Sequence, residues 1–526
     1  MNQFPSIFND VMGPVMRGPS SSHCAASLRI GRICRDLADQ KLDKILIEFD
    51  PNGSLATTHK SQGSDMGLFG GFLGWDANDE RLAESESALE ASGIKVKIEI
   101  TDIKADHPNT YKLTLMNADE TRTITAISTG GGMIEVIDID GSKVSMAGDY
   151  YETLVYTGSA NGLAKVRSFI LDRDVSHDQL ILHDGPVPFV EIKAQAFPDD
   201  DVCRQLRALE GVSHLKRIHP VLPVLSRKDL AVPFITCEEM LAYNMGKDLS
   251  LWELAAHYES ARGGISVDEV FRKMKLIVQI MQNAIDTGLR GTKYEARILG
   301  AQSVNFKKQL EDHKLIGGDI NNLIIMYVSA VLEVKSSMGV IVAAPTAGSC
   351  GVVPGAIIGT AKGLGKTEDE IVKAMLAAGL IGVFICAHAT FAAEVGGCMA
   401  ECGSGSGMSA AAIVSLVNGS LDQSISAASV ALQNSFGLIC DPVANRVEAP
   451  CLGRNVMAAT NALSCANMAL ADYDQLIPLD EVLQAMKEVG HAIPHTLRCT
   501  SLGGLSTTKT SKALEEKINK TFYKIC

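Results

Sequence analysis

Three cysteines near the C-terminal end, Cys398, Cys440 and Cys451, constrain this chain more than any other feature. They have 41 and then 10 residues between them, too far apart for a zinc hairpin, whose ligands pair at roughly two to four residues. Each is set among glycine, proline and small residues, in Glu394-Val395-Gly396-Gly397-Cys398, Cys440-Asp441-Pro442-Val443 and Ala449-Pro450-Cys451. Such surroundings let backbone and thiolate come close to an inorganic cluster. Three thiolates suit a cluster with one iron left open.

Nine of the 13 cysteines fall after residue 340, which favours a metal site in the C-terminal half over a disulfide framework. The net charge of −13 comes without any basic block. Nucleic acid and anionic membrane surfaces are therefore excluded as expected partners, and a small metabolite is expected instead. The first residues, Met1-Asn2-Gln3-Phe4-Pro5, carry neither the charged nor the apolar region of a secretory signal. Apolar runs such as 374–387 stop short of the roughly 20 residues of a membrane span. The expected location is the cytoplasm.

Hydrophobic periodicity divides the chain into three parts, so the expected fold is multidomain. Residues 1–150 alternate short strand-like runs (44–49, 96–100, 111–116, 123–128, 133–139) with helical ones (25–38, 80–91), the pattern of an α+β domain. Residues 151–225 read strand, helix, strand, strand, helix, strand, the βαββαβ order of a small ferredoxin-like module. A junction rich in proline and charge, 220–233, closes that module. From 235 to 526 long periodic segments predominate, and a mainly α-helical domain is expected, its loops holding the glycine- and cysteine-containing sequences.

Several motifs offer chemistry beside a plain structural role. Gly18-Pro19-Ser20-Ser21-Ser22-His23 precedes an amphipathic helix, where hydroxyls and free N–H groups seat a carboxylate or simply cap the helix. His59, His107 and the turn Gly130-Gly131-Gly132 are candidates for lining a pocket or for ordinary structural duty. The run Gly403-Ser404-Gly405-Ser406-Gly407 reads as a flexible loop or as a nest of N–H groups for an anion.

Gly18–His23, His107-Pro108-Asn109-Thr110, Ala344-Pro345-Thr346-Ala347-Gly348-Ser349-Cys350-Gly351, Ala393-Glu394-Val395-Gly396, Cys440-Asp441-Pro442-Val443 and Cys451-Leu452-Gly453-Arg454-Asn455 occur in that order. Together they resemble the iron–sulfur-dependent L-serine dehydratases (L-serine ammonia-lyases) of bacteria, over nearly the whole chain. The resemblance implies that the family's β-type part, a serine-binding-like domain plus an ACT regulatory module, is fused to its α-type catalytic part. It implies a [4Fe-4S] cluster on Cys398, Cys440 and Cys451, no pyridoxal phosphate, an amino-acid substrate and a homodimer. By the same resemblance Ser20, Ser21, Ser22, Asp65, Asn109, Thr346, Ala347, Gly348, Arg454 and Asn455 fall to substrate binding, and His107 and His23 to acid–base work. Cys526, the last residue, is placed to plug the open iron, as a terminal cysteine does in some members.

The chemistry suits these residues. An open iron acts as a Lewis acid on a β-hydroxyl that would otherwise leave with difficulty. This sequence departs from the family where Lys60-Ser61-Gln62-Gly63-Ser64-Asp65 replaces a histidine by Gln62, which cannot transfer a proton. Cys402, four residues after Cys398, is an alternative ligand. The same cluster chemistry on threonine, a bulkier hydroxy amino acid or cysteine, a cluster-bearing amino-acid sensor, and a zinc protein are the competing readings.

Overall fold

The computed structural model describes residues 4–295 and 297–525, with side chains up to residue 518. Cys526 lies outside the described residues. The first unit is a six-stranded mixed sheet in the order Lys95–Ile100, Lys44–Phe49, Thr110–Met116, Thr121–Gly130, Met133–Ile139, Ser142–Met146. Only the first pair is parallel. Alternation in Lys44–Phe49 turns Ile45, Ile47 and Phe49 inward, where they share a core with Ile30, Ile33 and Leu37 of the helix Ala26–Leu37. That helix packs closely on Ser64–Phe72 because glycines face it: a Cβ on Gly67 would stand 2.1 Å from the carbonyl oxygen of Cys24. The close approach brings the turn at 20–25 beside the loop that carries Gln62.

The second unit is an antiparallel sheet ordered Val212–Ile218, Tyr151–Thr157, Phe189–Ala194, Gln179–His183. Helices Ala160–Asp172 and Asp200–Ala208 cover one face, sharing a core of Val155, Val166, Ile170, Val190, Ile192 and Leu206. The opposite face is not free. Leu154, Tyr156, Phe189 and Ile218 belong to the core of the six-stranded unit, so the two sheets are joined by buried apolar surface rather than by a linker.

The third part is helical from Cys237–Asn244 onward and surrounds the buried helix Glu368–His388. This helix is long and apolar enough by length and composition to cross a membrane, contrary to the sequence expectation, but 78% of its apolar window is buried inside the protein. The glycine run at 403–407 is no flexible loop. Its residues are buried, and the helix Ser404–Leu416 begins within it. The absence of side chains admits neighbours closely: a Cβ on Gly405 would lie 3.0 Å from that of Val352.

The N-terminal segment leaves the sheet unit and enters this helical core. Ile7, Phe8, Val11 and Met12 are buried there, Ile7 and Val11 fitting against Gly379 and Gly382 of the central helix. Val15–Met16 pairs antiparallel with Ile341–Val342. Glu259 secures the entry, its two oxygens accepting from Ser6 Oγ at 2.5 Å and Ile7 N at 2.7 Å. Serines 20–22 are thereby fastened against the part of the chain that carries the cysteines.

Burial pushes Glu259 up to about 7 and neighbouring Asp10 up to about 6, with Arg262 opposing the rise in both. Between the unfolded value near 4.5 and about 7 the folded protein therefore holds a proton on Glu259 that the unfolded chain has lost. Its contribution to stability is full below the lower value and is lost as pH rises through the upper one. Relative to a Glu259→Gln variant, the wild type is expected to lose about 2–3 kcal/mol between about pH 5 and pH 8. Parallel unfolding curves at the two pH values measure this, and a constant gap between them removes the assignment.

Candidate active site

Three separate pieces of backbone bring the cysteines together. Cys398 ends the helix Ala393–Cys398, directly after Gly397, whose φ of 68° and ψ of −168° suit glycine. Cys440 lies in an extended stretch, its N–H donating to Leu497 O at 2.8 Å and its carbonyl accepting from Cys499 N at 2.9 Å. Cys451 opens the helix Cys451–Leu470. Two of the three thus sit at helix ends, where loops were expected. All three line one narrow cavity, with about 10 Å3 of free space, together with Ser20 and Ser22 from the sheet-bearing part.

Two of the thiols are held in their protonated form, Cys440 by contact with Cys499 and by burial, and Cys451 chiefly by burial, which nearby Lys335 opposes. A metal must displace those protons to bind. Arg454 also lines the cavity, donating to Asp441 Oδ1 at 2.6 Å and to Ile439 O at 2.8 Å. Among the described residues, no three His, Cys, Asp or Glu side chains are grouped to hold a single metal ion. A cluster places no such demand, because each iron takes its own thiolate.

The serine turn is built differently from a helix cap. Ser20 makes no side-chain capping bond, and 21–25 form a wide π-helical turn leading into Ala26–Leu37. The hydroxyls face His23 instead. Its Nδ1 lies 3.1 Å from Ser20 Oγ and 3.2 Å from Ser22 Oγ, and its Nε2 lies 2.8 Å from Thr58 Oγ1. Ser22 Oγ donates to Glu394 Oε1 at 2.7 Å. Burial lowers the pKa of His23 and Glu394 opposes the shift. Ser21 accepts from Ala347 N at 3.1 Å, which ties this turn to the segment 346–348.

That segment stands behind a second carboxyl at the cavity. Thr346 Oγ1 donates to Glu401 Oε1 at 2.6 Å, and burial pushes Glu401 up to about 7. Asn455 Nδ2 donates to the carbonyls of Gly348 and Cys451, both at 2.8 Å. A Cβ on Gly348 would lie 2.5 Å from Glu401 Oε1. Gly348→Ala is therefore expected to displace that carboxyl and lower kcat by about 10²-fold while leaving the fold intact. Steady-state kinetics beside a thermal melt checks both halves.

Other candidates lie elsewhere. Asp65 pairs with His59 Nδ1 at 2.8 Å and is not among the residues lining the cysteine cavity. His107, expected to serve as acid or base, lines a different and larger cavity of about 460 Å3. Residues 393–401 form the partition: Glu394, Cys398 and Glu401 line the cysteine cavity, while Val395, Gly396 and Met399 line the larger one. Asn109, beside His107, is fully buried, and its side-chain amide has no hydrogen-bonding partner among the described residues. Gln62 does line the cysteine cavity and donates to Asn445 Oδ1 at 3.2 Å.

Four carboxyl or thiol groups of the lining, Glu394, Glu401, Asp441 and Cys499, escaped the sequence reading of the site. Glu394 and Asp441 lie inside the segments Ala393-Glu394-Val395-Gly396 and Cys440-Asp441-Pro442-Val443 already singled out in the sequence, so they were within reach. Glu401 and Cys499 had no local signal. Cys402 is buried, with Asn455 Nδ2 at 3.5 Å from its Sγ, and it is not among the residues lining the cavity.

Sequence comparison places this arrangement. The profile of the family described as "Serine dehydratase alpha chain" matches residues 246–506. The "Probable L-serine dehydratase, alpha chain" of Bacillus subtilis (strain 168) is 36% identical over 285 residues, covering 54% of this chain and 95% of that one. The chain belongs to the L-serine dehydratase family. The "Probable L-serine dehydratase, beta chain" of the same organism is 33% identical over 224 residues, 41% of this chain and 99% of its own length. An L-serine dehydratase of Streptomyces coelicolor aligns at 28% identity over 501 residues, 93% of this chain and 96% of the relative. This member of the L-serine dehydratase family thus unites in one polypeptide what Bacillus subtilis keeps as two chains.

Proposed function

We propose that this chain converts L-serine to pyruvate and ammonia at the cysteine cavity. One observation carries the proposal: cysteines separated by 41 and 10 residues in sequence line a single cavity with Ser20 and Ser22, which arrive from the other end of the chain.

The donor set fits the iron–sulfur cluster that the family implies. Cys398, Cys440 and Cys451 are buried free thiols, and two cations, Arg454 and Lys335, stand close enough to act electrostatically on them. The three cysteines would hold a [4Fe-4S] cluster, whose remaining iron supplies Lewis-acid assistance to departure of the β-hydroxyl. No pyridoxal phosphate enters this reading.

The protein's own groups have distinct tasks. The Ser20 and Ser22 hydroxyls present hydrogen bonds at the cavity, and Arg454 offers positive charge for the substrate carboxylate. His23 is placed to hold or move a proton at Ser22 Oγ, since burial favours the neutral imidazole that a base requires. Gln62 takes no proton, so in this chain the task falls to another group. His107 lines the other cavity, where Glu394 is near enough to act on it electrostatically. The enamine left by loss of water tautomerises to the imine, which takes up water in solution and releases ammonia to give the 2-oxo acid.

The four-stranded unit, with the strand order of a ferredoxin-like module, is proposed as an ACT-like regulatory element. Its edge strand Gln179–His183 is open to pairing in a homodimer, and light scattering tests the assembly. The test of function is anaerobic: reconstitute the cluster, supply L-serine beside L-threonine, L-cysteine and D-serine, and follow 2-oxo acid and ammonia. Rapid pyruvate from L-serine supports the assignment. An intact cluster with no turnover of any of them points instead to a sensor.

A further inference from the structure

The carboxylate of Glu394 has an unfilled bond at the cysteine cavity. Its side chain is 2% exposed, with Oε1 3.5 Å from His23 Nδ1 and accepting from Ser22 Oγ at 2.7 Å. Oε2 has no hydrogen-bonding partner among the described residues. A buried carboxylate oxygen left bare is costly, and buried charges are ordinarily paired.

The protein's neighbouring donors do not fill the bond. Arg454 is committed to Asp441 and the carbonyl of Ile439. Lys335 Nζ donates to the carbonyl of Val447. His23 approaches on the Oε1 side and has its Nε2 at Thr58. His107 accepts from Asn109 N through Nδ1.

Resting on the serine reading, we propose that Glu394 Oε2 receives the α-ammonium group of the substrate. Glu394 thereby selects α-amino acids over hydroxy acids of the same shape. Glu394 lines the same cavity as Cys398, which places the ammonium near the thiol that would hold the cluster. The bond made on binding is charge-assisted, the class that contributes most per contact.

L-Alanine and L-lactate isolate this contact, because they share a carboxylate and a methyl group, differ only in ammonium against hydroxyl, and carry no β-hydroxyl to be eliminated. Calorimetric titration of both ligands into anaerobically reconstituted wild type, Glu394→Gln and Glu394→Asp reads the proposal directly. The wild type should bind L-alanine at least about 30-fold more tightly than L-lactate. Glu394→Gln should lose most of that preference, its L-lactate affinity staying within about threefold, and Glu394→Asp should recover part of it.

Equal loss for both ligands, or loss for neither, overturns the proposal, since a structural role would weaken both alike. Should the glutamine variant not fold, the wild type alone decides: equal affinity for the two ligands overturns the role of Glu394. A wild type that binds neither ligand and turns over no L-serine overturns the serine reading itself.

Discussion

Replacing Cys440 by serine is expected to abolish pyruvate formation from L-serine and to remove the iron–sulfur charge-transfer absorbance proposed for anaerobically reconstituted protein. The expected loss is about 10³-fold or more, because Lewis-acid assistance amounts to several kcal/mol of transition-state stabilisation. The fold should survive the change. Cys440 is fixed by its backbone, through Leu497 and Cys499, and serine removes neither bond. Cys499→Ser and Cys402→Ser are the informative companions: Cys499 lines the same cavity and Cys402 sits behind it, yet neither is among the three assigned ligands. Absorbance retained in the Cys440 variant, or lost in the Cys499 variant, requires a different ligand set.

Gly397→Ala should cost about 3 kcal/mol of stability and lower cluster occupancy, although it alters no ligand. The backbone at φ 68° and ψ −168° disfavours a side chain by about 1–3 kcal/mol. In addition, a Cβ would stand 2.5 Å from the carbonyl oxygen of Leu438. That carbonyl accepts from Met399 N at 3.0 Å, so forcing it away loosens the joint between Cys398 and the stretch leading to Cys440. Gly437→Ala is the matched control, with a φ of 81° and nothing within 4 Å of its Cβ. It should show the backbone cost alone, about 1 kcal/mol, with occupancy unchanged. Scanning calorimetry and iron content per chain measure both, and equal behaviour of the two variants contradicts the clash.

Periodicity alone revealed most of the strands, the helices of the βαββαβ unit and most of the long helices, because residues i and i+2 or i and i+4 share a face wherever the chain goes. It did not reveal Ser142–Met146 or the short pair Val15–Met16 and Ile341–Val342. The cysteine motifs were legible for a related reason: glycine and proline around a thiol describe local backbone freedom. Periodicity did not disclose that 403–407 is helical, since glycine and serine carry no apolar stripe. The burial of that run is set by the neighbours its bare backbone admits.

The sequence by itself thus determined the order of a sheet-bearing N-terminal region and a helical C-terminal part, the family resemblance and the trio Cys398, Cys440 and Cys451 as a candidate ligand set. Tertiary structure alone decided that the segment at 7–12 joins the helical core, and that the two sheets share buried surface. It also decided that His107 faces another cavity, and that Glu394, Glu401 and Cys499 meet the cysteines. The reason is physical. Local pattern reports the face on which a side chain lies, whereas the partner it meets there depends on packing between segments hundreds of residues apart, as when Ser22 reaches Glu394 across 372 positions.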